Sequence, residues 1–216
     1  MEMREAFGKS PALAIMRNIP LEKTLPYAQA AYEGGIRLFE VALNSPGALE
    51  QIAMIRKRLG GDAEVGVGAG TVLAIDAARA ALAAGAAFLL APSCPAELLA
   101  WCRENRIAFL PGVLTPSEAG FCLSHGFKVM KLFPAGDMPR GYAKSLKGPF
   151  AESDYVAIGG VTPANAPEFL KAGYLGVGLG GNLISQDCLA NDRWNLAAEG
   201  IANMLAAMRK VACPTP

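Results

Sequence analysis

The sequence has a single histidine, His125, in 216 residues. That scarcity excludes the HxH and HExxH arrangements through which imidazoles hold a catalytic metal. An all-carboxylate magnesium site stays open; a histidine-based one does not. Cysteine is sparse too. Cys94, Cys102, Cys122, Cys188 and Cys213 make an odd count without a CxxC pair. Such a set argues against a disulfide framework and for reduced thiols in the cytosol. No apolar run reaches the ~20 residues of a membrane-spanning helix. The opening "MEMREAFGKS" has two glutamates and no apolar centre, so it does not read as a secretory signal. Nor is there a basic stretch: 20 Lys and Arg face 19 Asp and Glu, for a net charge of +1. Neither nucleic acid nor a membrane is therefore an expected partner, and the expected location is cytoplasmic.

What the sequence does have is a rhythm. Eight short β-like runs recur: "ALAIM" (12–16), "RLFEVAL" (37–43), "EVGVGA" (64–69), "AFLLA" (87–91), "IAFLP" (107–111), "KVMKLF" (128–133), "YVAIG" (155–159) and "LGVGLG" (175–180). Helix-like stretches fill the gaps at 21–34, 46–59, 75–84, 95–105, 116–125, 139–147 and 163–172, with a longer one at about 189–210. Apolar strands alternating with helices call for parallel pairing through crossover connections. Eight such units in one chain predict an α/β fold, a (β/α)8 TIM barrel forming a single domain over 1–216. A doubly wound open sheet is the alternative. Prolines at or near helix starts (Pro46, Pro95, Pro116 and Pro163) and glycines at helix ends (Gly34–Gly35, Gly85, Gly126 and Gly173) agree with this segmentation. The closing "ACPTP" reads as a frayed end.

Barrels of this kind carry their chemistry at the C-terminal ends of the strands. Those ends hold Arg17, Glu40, Thr71, Pro92-Ser93, Pro111-Gly112, Lys131, Gly159-Gly160 and Gly180-Gly181-Asn182. Side chains alternate along a strand, so Leu38, Glu40 and Ala42 share one face and Val129, Lys131 and Phe133 another. The bulkier faces suit the helix layer, which turns Glu40 and Lys131 inward and leaves Lys128 at the solvent end. Two readings of that pair stay open. It is a structural ion pair, or it is functional; the second is favoured because buried pairs stabilise less than apolar packing does. Burial and a neighbouring cation lower a lysine's pKa and free the amine to attack a ketone. The protonated imine is then an electron sink, and Glu40 is the one inward carboxylate that can move protons beside it.

The two glycine pairs end adjacent strands, where many barrels bind phosphate through backbone N–H groups. Plain turn chemistry is the other reading of each pair. "GVGAGT" (66–71) has only part of a dinucleotide fingerprint and is discounted as one. Trp101 and Trp194 read as helix packing, Phe133 as a wall of the site, and Lys144 and Lys147 as solvated.

"FEVALNSP", "VGAGTV", "PGVLTPSE", "KLFPA", "LKGPF" and "GGVTPAN", in this order, resemble the class I 2-keto-3-deoxy-6-phosphogluconate / 4-hydroxy-2-oxoglutarate aldolases over about residues 12–185. "LNSP" carries the look of the 6-phosphogalactonate branch. The resemblance implies that Lys131 forms a Schiff base, Glu40 moves protons, Thr71 meets the pyruvate carboxylate, and Arg17 contacts substrate. It further implies a small-molecule substrate (a phosphorylated 2-keto-3-deoxy sugar acid), no metal or organic cofactor, and a homotrimer. The chain departs from the family at Asn44, where the phosphogluconate enzymes often have arginine. It departs again at Gly181, where many have serine; Asn182 is the nearest substitute donor. A phosphate-binding isomerase or epimerase and a non-catalytic ligand-binding barrel are the alternatives.

Overall fold

Strands buried on both faces need helices above and below, which is the arrangement a parallel sheet with crossover connections provides. The computed structural model, which describes residues 2–212, shows that arrangement. The strands are β1 (Ala12–Met16), β2 (Leu38–Ala42), β3 (Gly66–Gly70), β4 (Phe88–Leu90), β5 (Phe109–Leu110), β6 (Gly112–Val113), β7 (Val129–Leu132), β8 (Asp154–Ile158) and β9 (Gly176–Leu179). Their order is β5-β4-β3-β2-β1-β9-β8-β7-β6, with every pairing parallel. The two end strands, β5 and β6, are neighbours in the chain with only Pro111 between them. Proline has no N–H for the ladder, so it splits one strand into two pieces. The eight expected strands are thus present, the fifth broken, and the sheet closes as a (β/α)8 barrel.

Alternation sorts the core into two layers. Leu13, Ile15, Leu38, Phe88, Leu110, Val129 and Val156 fill the barrel interior. Phe39, Val41, Met130 and Leu132 face the helices in the outer layer. Both strand parities expected for Glu40 and Lys131 follow, since Leu38 and Val129 lie inside.

Three local features depart from expectation. A helix at Met3–Lys9, not anticipated, puts Met3 and Phe7 into the interior cluster at the N-terminal ends of the strands. Phe7 is fully buried, and its ring fills the space beside Gly176, where a Cβ would meet it at 2.5 Å. Arg4 ties this helix down, with Nε 2.7 Å from Asp154 and Nη2 donating to the Glu152 carbonyl at 2.8 Å. The long final helix is two helices, Gln186–Ala190 and Trp194–Ala212. They break at Asp192, which is left-handed at φ 52 and lies 3.3 Å from the Lys23 ammonium. Finally, helices expected to start at Pro46 and Pro163 start at Ala48 and Ala166, whereas Thr115 forms a full capping box with Glu118. Of the glycines expected at helix ends, Gly35, Gly85, Gly126 and Gly173 are left-handed and Gly34 stays helical at φ -67; after Ala96–Glu104 the left-handed role falls to Arg106, at φ 53. Cys213 and the rest of the expected frayed end lie outside the described residues.

Candidate active site

Lys131 occupies the middle of β7, paired with Gly112 on one side and Val156 on the other. It is 5 % exposed. Burial is the main influence holding its pKa below the usual lysine range; Glu40 opposes that shift and Arg17 reinforces it. Among the described residues its ammonium has no carboxylate within ion-pairing distance and no protein hydrogen-bond partner. Its close neighbour is Phe133, whose ring centroid lies 4.7 Å from Nζ. The structural ion-pair reading of Lys131 and Glu40 is therefore corrected: the two groups influence each other electrostatically but do not form a salt bridge. Three residues earlier, Lys128 is exposed and pairs with Glu152 at 2.6 Å.

Glu40 sits in β2 between Ile15 of β1 and Gly68 of β3. It is 2 % exposed. Burial pushes its carboxyl up to about 6, against the pull of Lys131 and Arg17. Its carboxylate lies over the backbone of Gly70, where a Cβ would stand 1.2 Å from Oε1. Any side chain at position 70 would displace the carboxylate, so Gly70 makes the room that Glu40 occupies, a contact that sequence reading missed. The signal was present, since glycine inside a strand marks a close approach.

Arg17, after β1, and Thr71, after β3, meet across the mouth: Nη2 of Arg17 donates to Thr71 Oγ1 at 3.3 Å. Thr71 is left-handed at φ 57, an outlying conformation for a β-branched residue. The structure thus gathers Lys131, Glu40, Arg17 and Thr71 at the C-terminal ends of their strands.

The glycine pairs follow adjacent strands, since Ile158 of β8 pairs with Gly178 of β9. Gly159 and Gly160 are both left-handed, at φ 89 and 71, and the Gly159 carbonyl accepts from Gly136 N–H at 2.8 Å. A Cβ at Gly159 would meet the Phe133 ring at 3.0 Å, which joins this loop to the wall beside Lys131. Gly180 and Gly181 have open space where a Cβ would be. Asn182 is exposed, and its side chain forms no hydrogen bond among the described residues.

Other expectations fall away from the site. His125 ends the helix Pro116–Ser124, its Nδ1 is 2.9 Å from the Phe121 carbonyl, and its ring lies against Phe121. Lys147, expected in solvent, binds Asp154 at 2.6 Å. Among the described residues no group of three or more His, Cys, Asp or Glu is placed to hold a metal ion. No described helix is long and apolar enough to cross a membrane.

A family model described as KDPG and KHG aldolase matches residues 3–199. A KHG/KDPG aldolase of Escherichia coli (strain K12) is 34% identical over 163 residues, 74% of this chain and 74% of that protein. A 2-dehydro-3-deoxy-6-phosphogalactonate aldolase of the same organism is 32% identical over 176 residues, 81% of this chain and 85% of that protein. Among solved structures, a KDPG aldolase from Legionella pneumophila, with pyruvate captured as a covalent carbinolamine, superposes with TM-score 0.85 and 29% identity. That alignment covers 94% of this chain and 98% of the other.

Proposed function

The chain belongs to the KDPG and KHG aldolase family, and from that membership we propose that it cleaves a 2-keto-3-deoxy-6-phospho sugar acid to pyruvate and glyceraldehyde 3-phosphate. It is an aldehyde-lyase of small-molecule metabolism. The observation that carries the mechanism is a buried lysine with no carboxylate partner among the described residues, placed inside a barrel mouth with one raised-pKa carboxyl.

The neutral Lys131 amine adds to the C2 ketone, and loss of water gives a protonated imine. Glu40 takes the C4 hydroxyl proton as the C3–C4 bond breaks; the electron pair moves into the imine, giving an enamine and releasing glyceraldehyde 3-phosphate. Glu40 returns a proton to C3, and water hydrolyses the resulting pyruvate imine. A carboxyl pushed to about 6 suits both duties near neutral pH. The imine is the electron sink, so these steps take no metal or organic cofactor. Arg17 and Thr71 receive the carboxylate end. Gly159, Gly160, Gly180 and Gly181, with Asn182, offer backbone and amide donors to the phosphate. We assign the whole chain to one barrel domain, working as a cytoplasmic homotrimer.

Reduction with borohydride in the presence of pyruvate tests this reading. The modified peptide should carry the label on Lys131 alone; a label on Lys128, Lys144 or Lys147 with Lys131 unmodified overturns it. Pyruvate release from gluco- and galacto-configured substrates and from 4-hydroxy-2-oxoglutarate defines the preferred one.

A further inference from the structure

The turns that follow β1 and β2 meet at one hydrogen bond. Ser45 Oγ accepts from the backbone N–H of Asn18 at 2.9 Å. Ser45 is 6 % exposed and is itself fixed in its turn, with its N–H bonded to the Ala42 carbonyl at 2.9 Å. Its hydroxyl has no other hydrogen-bond partner among the described residues. Asn18, the residue after Arg17, is left-handed at φ 54. Non-glycine residues hold that conformation only where their surroundings over-determine it, and such residues gather at functional sites. Thr71, the second left-handed residue of the mouth, accepts from the Arg17 guanidinium at 3.3 Å. One strained residue thus fixes the backbone beneath Arg17, and another meets its head. Arg17 is exposed and enters no ion pair among the described residues, so these contacts orient a cation that faces the mouth.

We infer that Ser45 is a positioning residue: through the Asn18 amide it sets where Arg17 presents its guanidinium to the anionic end of the substrate. The inference rests on the reading of Arg17 as a substrate contact. A planar guanidinium binds a carboxylate or phosphate through paired, directional hydrogen bonds, so a small rotation of its turn weakens binding more than chemistry.

Steady-state kinetics of Ser45→Ala, Arg17→Ala and the double variant test it with a phosphorylated 2-keto-3-deoxy sugar acid. Ser45→Ala should raise KM roughly 2- to 10-fold and leave kcat within about twofold. The pH profile of kcat and the yield of borohydride-trapped pyruvate on Lys131 should not move. Ser45→Thr, which keeps the acceptor, should restore KM. In the Arg17→Ala background Ser45→Ala should add nothing, because its effect passes through Arg17. An undiminished Ser45→Ala effect in that background overturns the inference, as does a silent Ser45→Ala beside a raised KM for Arg17→Ala. If Arg17→Ala itself leaves KM unchanged, the functional reading of Arg17 fails and takes the role of Ser45 with it. Should Ser45→Ala not fold, Ser45→Cys fills the site with a slightly larger and weaker acceptor and answers the same question.

Discussion

The two ends of β7 treat a lysine in opposite ways. Lys128, at the N-terminal end, stays in solvent and has Glu152 at 2.6 Å. Lys131, three residues on toward the C-terminal end, is buried and among the described residues has no carboxylate within ion-pairing distance. The contrast extends around the barrel. At the lower end Phe7 seals the interior and Arg4 reaches Asp154. A cleft of about 570 Å³ there is lined by Arg4, Arg103, Arg106 and Lys128 over Phe109 and Val129. Arg103 and Arg106 stand at the C-terminal end of Ala96–Glu104, where a helix dipole favours cations. The upper end instead keeps a desolvated amine, a desolvated carboxyl and two left-handed non-glycine residues. Barrels divide their labour in this way, with stability below and chemistry above.

Glu40→Gln should break the comparison most sharply. Turnover should fall roughly 10²- to 10⁴-fold with a near-normal thermal midpoint. A collapsed midpoint with turnover preserved at low temperature would move Glu40 to the structural side. Next in size is Phe7→Ala, which empties the lower seal and should cost about 3–5 kcal/mol in denaturant unfolding. Turnover per folded molecule should stay as it was; a loss beyond the unfolded fraction would mean the two ends are coupled.

A pH titration of stability comes third. The Glu40 carboxyl is raised from 4.5 to about 6 in the fold, so the protonated form is the better accommodated one. Its contribution is complete below the unfolded value and is lost as pH climbs through the folded one. Relative to Glu40→Gln, the parent should lose about 2 kcal/mol between about pH 4 and 7. A flat difference between the two proteins across that range would contradict the burial argument. The smallest effect belongs to Lys128→Met. Its exposed pair should be worth less than about 1 kcal/mol, shrinking as salt is added, with kcat unchanged.

Much of this division was legible in the residues. Eight strands showed because a strand buried on both faces leaves an unbroken apolar run, and glycine and proline punctuate it. Parity then turned Glu40 and Lys131 inward correctly. What stayed hidden depends on contacts between distant segments. The helix Met3–Lys9 is short, and its fixing contacts, Phe7 against Gly176 and Arg4 with Asp154, lie far along the chain. Gly70 and Ser45 act through single approaches to Glu40 and Asn18, which leave no periodic trace. The lack of a salt bridge between Glu40 and Lys131 is likewise a matter of distance, and parity carries no distances.

Closure of the barrel also sets a timetable. β1 meets β2 early, but Ala12 also pairs with Val177 and Phe7 lies against Gly176, so the strand's second edge and its seal await partners made roughly 165 residues later. On a ribosome adding about 5–20 residues per second, that wait is on the order of ten to thirty seconds. Throughout it Met3 and Phe7 lack a closed cavity, because its later walls, Val129, Val156 and Gly176 among them, have not been synthesised. The helix Met3–Lys9 therefore leaves the exit tunnel long before it can dock, and Met3 and Phe7 stay uncovered until the ring is complete.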